Sequence, residues 1–199
     1  MRSYIKLIML FGVGYTPFLL NSDAYSPVSK LKQQLLRDRN NPGCRAFLDT
    51  IAVAEGTYFA RAQGYKMRYP RGVMCLDLNA HPALVVCARC CDKTICSTAA
   101  GRYMFLENVW NRIAAKLELP DFSPLSQDLA ALYLLHERRA IEDIKKGDVK
   151  QAIYKVRCIW SSLPGSPHKQ PVKKYELLRK TFEDRKKHYS KYVGGKEWS

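Results

Sequence analysis

One carboxylate stands apart by its position. Glu55 follows the apolar run Ile51-Ala52-Val53-Ala54 and precedes Gly56-Thr57. Such a run closing on glycine reads as a helix end, with Gly56 as its left-handed cap. There a carboxylate meets the negative end of the helix dipole, and apolar neighbours strip water from it. Both effects favour the protonated form. A glutamic acid that keeps its proton near neutral pH suits general-acid catalysis. The plain alternative is a helix-end carboxylate with no chemistry. Most other acids, as in Glu137-Arg138-Arg139, sit beside basic neighbours and read as solvated helix faces.

Cysteine is the second candidate chemistry. Five of the seven, Cys75, Cys87, Cys90, Cys91 and Cys96, crowd into 22 positions. Local disulfides, free thiols and a zinc site on Cys87-x-x-Cys90, with Cys91, Cys96 or His81 completing it, are all compatible with that spacing. An odd total leaves at least one thiol unpaired within the chain. No metal and no cofactor is expected: the phosphate-binding, dinucleotide and zinc-protease motifs are missing, and the four histidines have no ligand spacing. Tyr58, Phe59, Tyr65, Tyr69 and Tyr103 could stack on sugar rings or simply pack.

Periodicity lays out the helices and strands around these groups. Residues 25–41 form a polar leader striped by Leu31, Leu35 and Leu36, either a helix on the domain or a loose linker. Asn40-Asn41-Pro42-Gly43 is a turn signal, and the domain is taken to run from 42 to 168. A helix is predicted over Arg45–Glu55, then an irregular β region from Thr57 to about Ile95 with short runs at 73–76 and 84–86. Leu106, Val109, Trp110, Ile113 and Leu117 repeat at helical spacing. Ser123-Pro124 reads as N-cap and first helical residue, with Leu125 to Leu135 following and Ile141 and Ile144 extending the pattern. Gly147 stops that run, Asp148 caps the next, and Leu163-Pro164-Gly165 ends it. A last helix is predicted from Pro171 to about Tyr189, inside a basic tail spanning 169–199 with ten basic residues against four acids. The fold class is α+β and mostly helical: one helix, a small irregular β region and a helical bundle.

Composition narrows the setting. The 199 residues are 47% hydrophobic and 26% charged, which excludes collagen-like, low-complexity and wholly disordered chains. A formal charge of +15 points to a polyanionic partner. Nucleic acid is disfavoured, because the basic residues are spread widely and no nucleic-acid motif appears. Arg2 and Lys6 precede the apolar Leu7–Leu20, and Ser22-Asp23-Ala24 follows. That order predicts a signal peptide or signal anchor over 1–24, the alternative being a buried N-terminal helix. Export to the periplasm or beyond is the expectation.

Several segments then match one family in order. Ala46-Phe47-Leu48-Asp49-Thr50-Ile51-Ala52-Val53-Ala54-Glu55-Gly56-Thr57 resembles the opening of bacteriophage lambda-type endolysins. The likeness resumes at Ser97-Thr98-Ala99-Ala100-Gly101-Arg102-Tyr103, at Leu119–Asp128, at Gly147–Ile153 and at Ile159–Gly165. Three positions depart from the family pattern: Val53, Lys66 and Met104.

The resemblance implies a lysozyme-like fold and a lytic transglycosylase of glycoside hydrolase family 104. It makes Glu55 the catalytic acid and puts Thr57, Tyr65, Arg102 and Tyr103 in substrate binding. The implied partners are peptidoglycan glycan strands and an anionic wall or outer-membrane surface. A monomer is expected. A hydrolytic muramidase and an inactive wall-binding homologue are the competing readings.

Overall fold

The computed structural model describes residues 26–70, 72–74, 77–90, 93–168 and 170–192. The signal-like segment 1–24 lies outside the described residues, as do Cys75 and Cys91. Among the described residues no helix is long and apolar enough to cross a membrane.

The chain runs α1 (Pro27–Asn40), α2 (Pro42–Glu55), a 3₁₀ segment (Tyr58–Lys66), β1 (Met67–Arg68), β2 (Val73–Met74), β3 (Val86–Cys90), β4 (Lys93–Ser97), α3 (Glu107–Leu117), α4 (Pro124–Glu137), α5 (Ile141–Lys146), α6 (Val149–Val156) and α7 (Tyr175–Ser190). Helix predominates, and among the described residues the expected irregular β region holds two small antiparallel pairs, β1–β2 and β3–β4. Cys87 and Cys96 face each other in the β3–β4 register and are joined by a disulfide. Their sulfurs are therefore bonded to each other and are not thiolate ligands. Cys44 is buried and Cys158 exposed, both as free thiols. Burial, followed by the nearby Asp38, pushes the Cys44 thiol up to about 12.

Helix α2 is the axis of the molecule. Twelve of its residues are buried, because other helices cover it on most sides. The turn signal at 40–43 proves to be a helix-to-helix joint. Asn41 ends α1 in an extended conformation, and its side chain accepts from the Gly43 and Cys44 amides to cap α2. The leader is thus a helix lying on the domain. Leu35 is fully buried, and Arg39 binds Asp128 at 2.8 Å.

Two element limits differ from the sequence reading. The α4 pattern breaks before Ile141: Arg139 takes φ 54°, and the Ala140 amide turns back to the Leu135 carbonyl. The last helix begins at Tyr175, not Pro171, because the Lys173 amide is spent on the Ser162 carbonyl at 2.9 Å. The tail segment contributes α7, which packs along α2. Leu178 and Phe182 are buried, and Phe182 meets Phe47 edge-on at 6.3 Å.

His81 is a structural residue. Its Nε2 donates to the Phe105 carbonyl at 2.9 Å, and its Nδ1 accepts from the Ala83 amide at 3.1 Å. Burial lowers its pKa below the ordinary 6.5. The folded state therefore resists the proton that the unfolded chain accepts. Stability from this site is full above the unfolded value and declines as pH falls through it toward the lower folded value. Thermal unfolding between about pH 7.5 and 5.5 is expected to show a shallower pH slope in His81→Gln than in wild type. Parallel slopes would refute this account.

Candidate active site

The C-terminus of α2 places Glu55. Gly56 adopts φ 77°, and the Gly56 and Thr57 amides return to the Val53 and Ala52 carbonyls at 3.2 and 2.9 Å. A side chain bearing Cβ would be strained at that φ, so glycine here makes a sharp stop. Glu55 is left at the helix edge, only 7% exposed.

Its carboxylate accepts a hydrogen bond from the Ser162 hydroxyl, across 107 positions of sequence. Ser162 is itself held in place. The neighbouring Trp160 indole donates to the Tyr103 carbonyl at 3.0 Å, Leu163 is fully buried, and the Ser162 carbonyl accepts from Lys173. Ser162 is a site residue that sequence reasoning passed over. It sits in the Ile159–Gly165 match, but nothing local signals a partner so far away.

Thr57 and Arg102 lock together behind Glu55. The Thr57 hydroxyl donates to the Arg102 carbonyl at 2.6 Å, and the Arg102 amide donates to Gln127 Oε1 at 2.8 Å. Gln127 also donates to the Tyr65 and Phe122 carbonyls at 3.0 and 2.7 Å. Gly101, at φ 79°, is required here. A Cβ at that position would lie 2.8 Å from both the Gln127 Cδ and the Phe122 ring.

The predicted substrate-binding residues fall into two places. Thr57 is fully buried, and Tyr103 is 1% exposed. Their polar atoms are bonded within the protein, the Thr57 hydroxyl to the Ala52 and Arg102 carbonyls and the Tyr103 hydroxyl to Asp128. Tyr65, Arg102 and Tyr103 converge on an open cavity of about 560 Å³ that Glu55 does not line. There Tyr65 and Tyr103 both donate to Asp128 Oδ1, at 2.9 and 2.7 Å. Burial, then the Asp128 charge, raises both phenols well above their ordinary range, so they remain donors. Arg102 binds Asp49 Oδ1 at 2.8 Å. Asp49, Asp128 and Gln127 lie within the matched segments, yet as single helical residues they carried no signal of these networks.

Of the three departures, Val53 is buried, Lys66 is half-buried and Met104 has φ 48°.

The endolysin family model matches residues 45–188. The chain belongs to the endolysin family. It is 37% identical to the endolysin of Escherichia phage lambda over 143 residues, 70% of this chain and 89% of that one. It is 39% identical to the endolysin of Escherichia phage P2 over 145 residues, 67% and 86% of the two chains. The fold matches the bacteriophage lambda lysozyme solved with a chitohexasaccharide, with a TM-score of 0.67 at 37% identity, covering 73% of this chain and 94% of that one. Membership includes α7, because the matched span reaches residue 188.

Removing the Ser162 hydroxyl takes away the bond that it donates to the Glu55 carboxylate, at a cost of about 1 kcal/mol in stability. Ser162→Ala is expected to lower kcat for murein more than it raises KM, with Ser162→Thr partly restoring kcat. Unchanged kcat in the alanine variant would deny Ser162 a positioning role.

Proposed function

We propose that this chain is a lytic transglycosylase that cleaves the β-1,4 bond between N-acetylmuramic acid and N-acetylglucosamine. The observation that carries the reading is the buried Glu55 carboxylate, fixed by Ser162 at the end of α2 in a lambda-lysozyme-like fold. The endolysin family degrades peptidoglycan, and a relative of this fold is known with a bound chitohexasaccharide.

In this reading the Glu55 carboxylic acid gives its proton to the glycosidic oxygen as the bond to C1 breaks. The muramic acid C6 hydroxyl then closes on C1, and its proton returns to the Glu55 carboxylate. The product is a 1,6-anhydro end, no water is consumed, and one residue serves as acid and then base. Thr57, Arg102 and Tyr103 support the site by holding the surrounding backbone. The enzyme works on the wall after export from the cytoplasm, as a monomer.

Mass spectrometry of murein digested by the purified protein tests this. Products lighter by one water than the hydrolytic muropeptides are expected. Products at the hydrated mass would replace the transglycosylase with a muramidase, and undigested murein would remove enzymatic activity altogether.

The positive surface supports attachment to an anionic wall. Lys187 and Lys191 are exposed, whereas Lys186 lies 5.7 Å from the Phe182 ring centre and shields it. Reversing Lys187 and Lys191 to Glu is expected to weaken wall binding at low salt and to converge with wild type at high salt, since screening acts over roughly 8–10 Å at physiological ionic strength. Turnover of a short soluble glycan is expected to stay the same. Equal wall binding at all salt concentrations would leave α7 with a packing role only.

A further inference from the structure

The cavity beside α2 has a charge that murein cleavage at Glu55 does not use. Five guanidinium groups line it, from Arg39, Arg45, Arg61, Arg102 and Arg185. Among the described residues two carboxylates, Asp49 and Asp128, oppose them, leaving an excess of three positive charges in one concave space.

The carboxylates are already saturated. Asp49 accepts from Arg102 on one oxygen and from Arg185 and Tyr189 on the other, at 2.7–2.8 Å. Asp128 accepts from Tyr65, Tyr103 and Arg39. These bonds hold the guanidinium groups in place and do not cancel their sum. Arg45 stacks 4.6 Å from the Tyr189 ring centre, and Arg61 is exposed at the rim. Arg61 has φ 51° and ψ −127°, a strained backbone conformation of the kind that collects at ligand sites.

We propose that this cavity is a binding site for a phosphorylated sugar, distinct from the Glu55 site. A phosphate monoester carries about −1.5 to −2 charges and three acceptor oxygens, which suits several convergent guanidinium forks. A carboxylate has one charge and would leave most of the excess unanswered. The volume, about 560 Å³, exceeds what phosphate alone fills and lies in the range of small-molecule sites. Aromatic walls supply the ring contact. Phe59 is 81% exposed and meets the half-buried Tyr58 edge-on at 5.5 Å, an apolar surface at the mouth that the fold does not need.

The site also lies apart from the chemistry. Asp49 is six residues before Glu55, about 9 Å along the helix axis. Arg39 and Tyr189 complete the cavity from outside the family-matched span of 45–188. The phosphorylated sugar could be soluble or the headgroup of a lipid surface, and the experiment separates the two.

Calorimetric titration of the full chain would use glucose 6-phosphate, inorganic phosphate and unphosphorylated glucose. Flotation would use phosphatidylcholine vesicles with and without lipid A, whose headgroup is a phosphorylated disaccharide. The variants are Arg45→Gln with Arg61→Ala, Phe59→Ala alone, and a control, Lys116→Ala with Lys150→Ala, which removes the same charge at exposed positions elsewhere. Saturable glucose 6-phosphate binding, weakened about tenfold or more in the arginine variant and less than about twofold in the lysine control, is expected for a built phosphate site. Phe59→Ala is expected to weaken glucose 6-phosphate and spare inorganic phosphate. Binding confined to lipid A vesicles, with the same dependence on the arginines, assigns the lipid source. Glu55→Gln is expected to retain whichever binding is found. The proposal is overturned if neither arm binds, if the lysine control loses as much as the arginine variant, or if Glu55→Gln abolishes binding. The single variant Phe59→Ala, at an exposed position, keeps the test open should the arginine variant misfold.

Discussion

Glu55→Gln is expected to leave the protein folded and to reduce murein lysis by about 10²–10⁴-fold, the range that a positioned acid–base group supplies. Glutamine has nearly the same shape and can still accept from Ser162, so the geometry at the end of α2 survives. It has no acidic proton for the glycosidic oxygen and no carboxylate to receive one from the C6 hydroxyl. Both halves of the proposed reaction fail together. Release of soluble muropeptides, measured beside thermal unfolding of the same sample, checks this. A folded variant lysing within about threefold of wild type would remove Glu55 from the mechanism, since the loss of a general acid exceeds that margin.

Asp49→Ala is expected to lower stability by about 3–5 kcal/mol, the cost of stranding a buried partner. The Asp49 side chain is 9% exposed and Arg102's is 8%, so little water can replace the lost carboxylate. Two guanidinium groups and the Tyr189 hydroxyl lose their acceptor at once, and α7 loses its polar tie to α2. The midpoint of thermal unfolding is expected to fall by about 10 °C, given roughly 2–4 °C per kcal/mol at this size. Arg185→Leu in the Asp49→Ala background is expected to recover part of the loss, because one of the stranded charges is gone. A loss under about 1 kcal/mol for Asp49→Ala would mean that water solvates the pair well and that the network contributes little.

Much of the architecture was legible in the chain. Gly56, Gly147 and Pro124 behave as their chemistry requires: two left-handed caps and a first helical residue after Ser123. The apolar stripe of α7 was visible in Tyr175, Leu178 and Phe182. Whether it packs or hangs free depends on a matching surface elsewhere, and α2 supplies that surface with Phe47. The α4–α5 break was hidden because Ile141 and Ile144 keep helical spacing across it. Arg139, a residue with no turn preference, takes the positive φ.

For the site, chain chemistry alone is enough to end an apolar helix at Glu55 against glycine. Those facts are local: they need only the spacing of apolar residues and the one residue type that tolerates φ 77°. What surrounds that carboxylate depends on how the helices pack. Ser162 reaches Glu55 from 107 positions away, and Arg185 and Tyr189 reach Asp49 from 136 and 140. A hydroxyl or guanidinium carries no mark of the partner it will meet. Which polar groups pair is settled when burial removes water and leaves each donor with only the acceptors that the packed helices bring within reach.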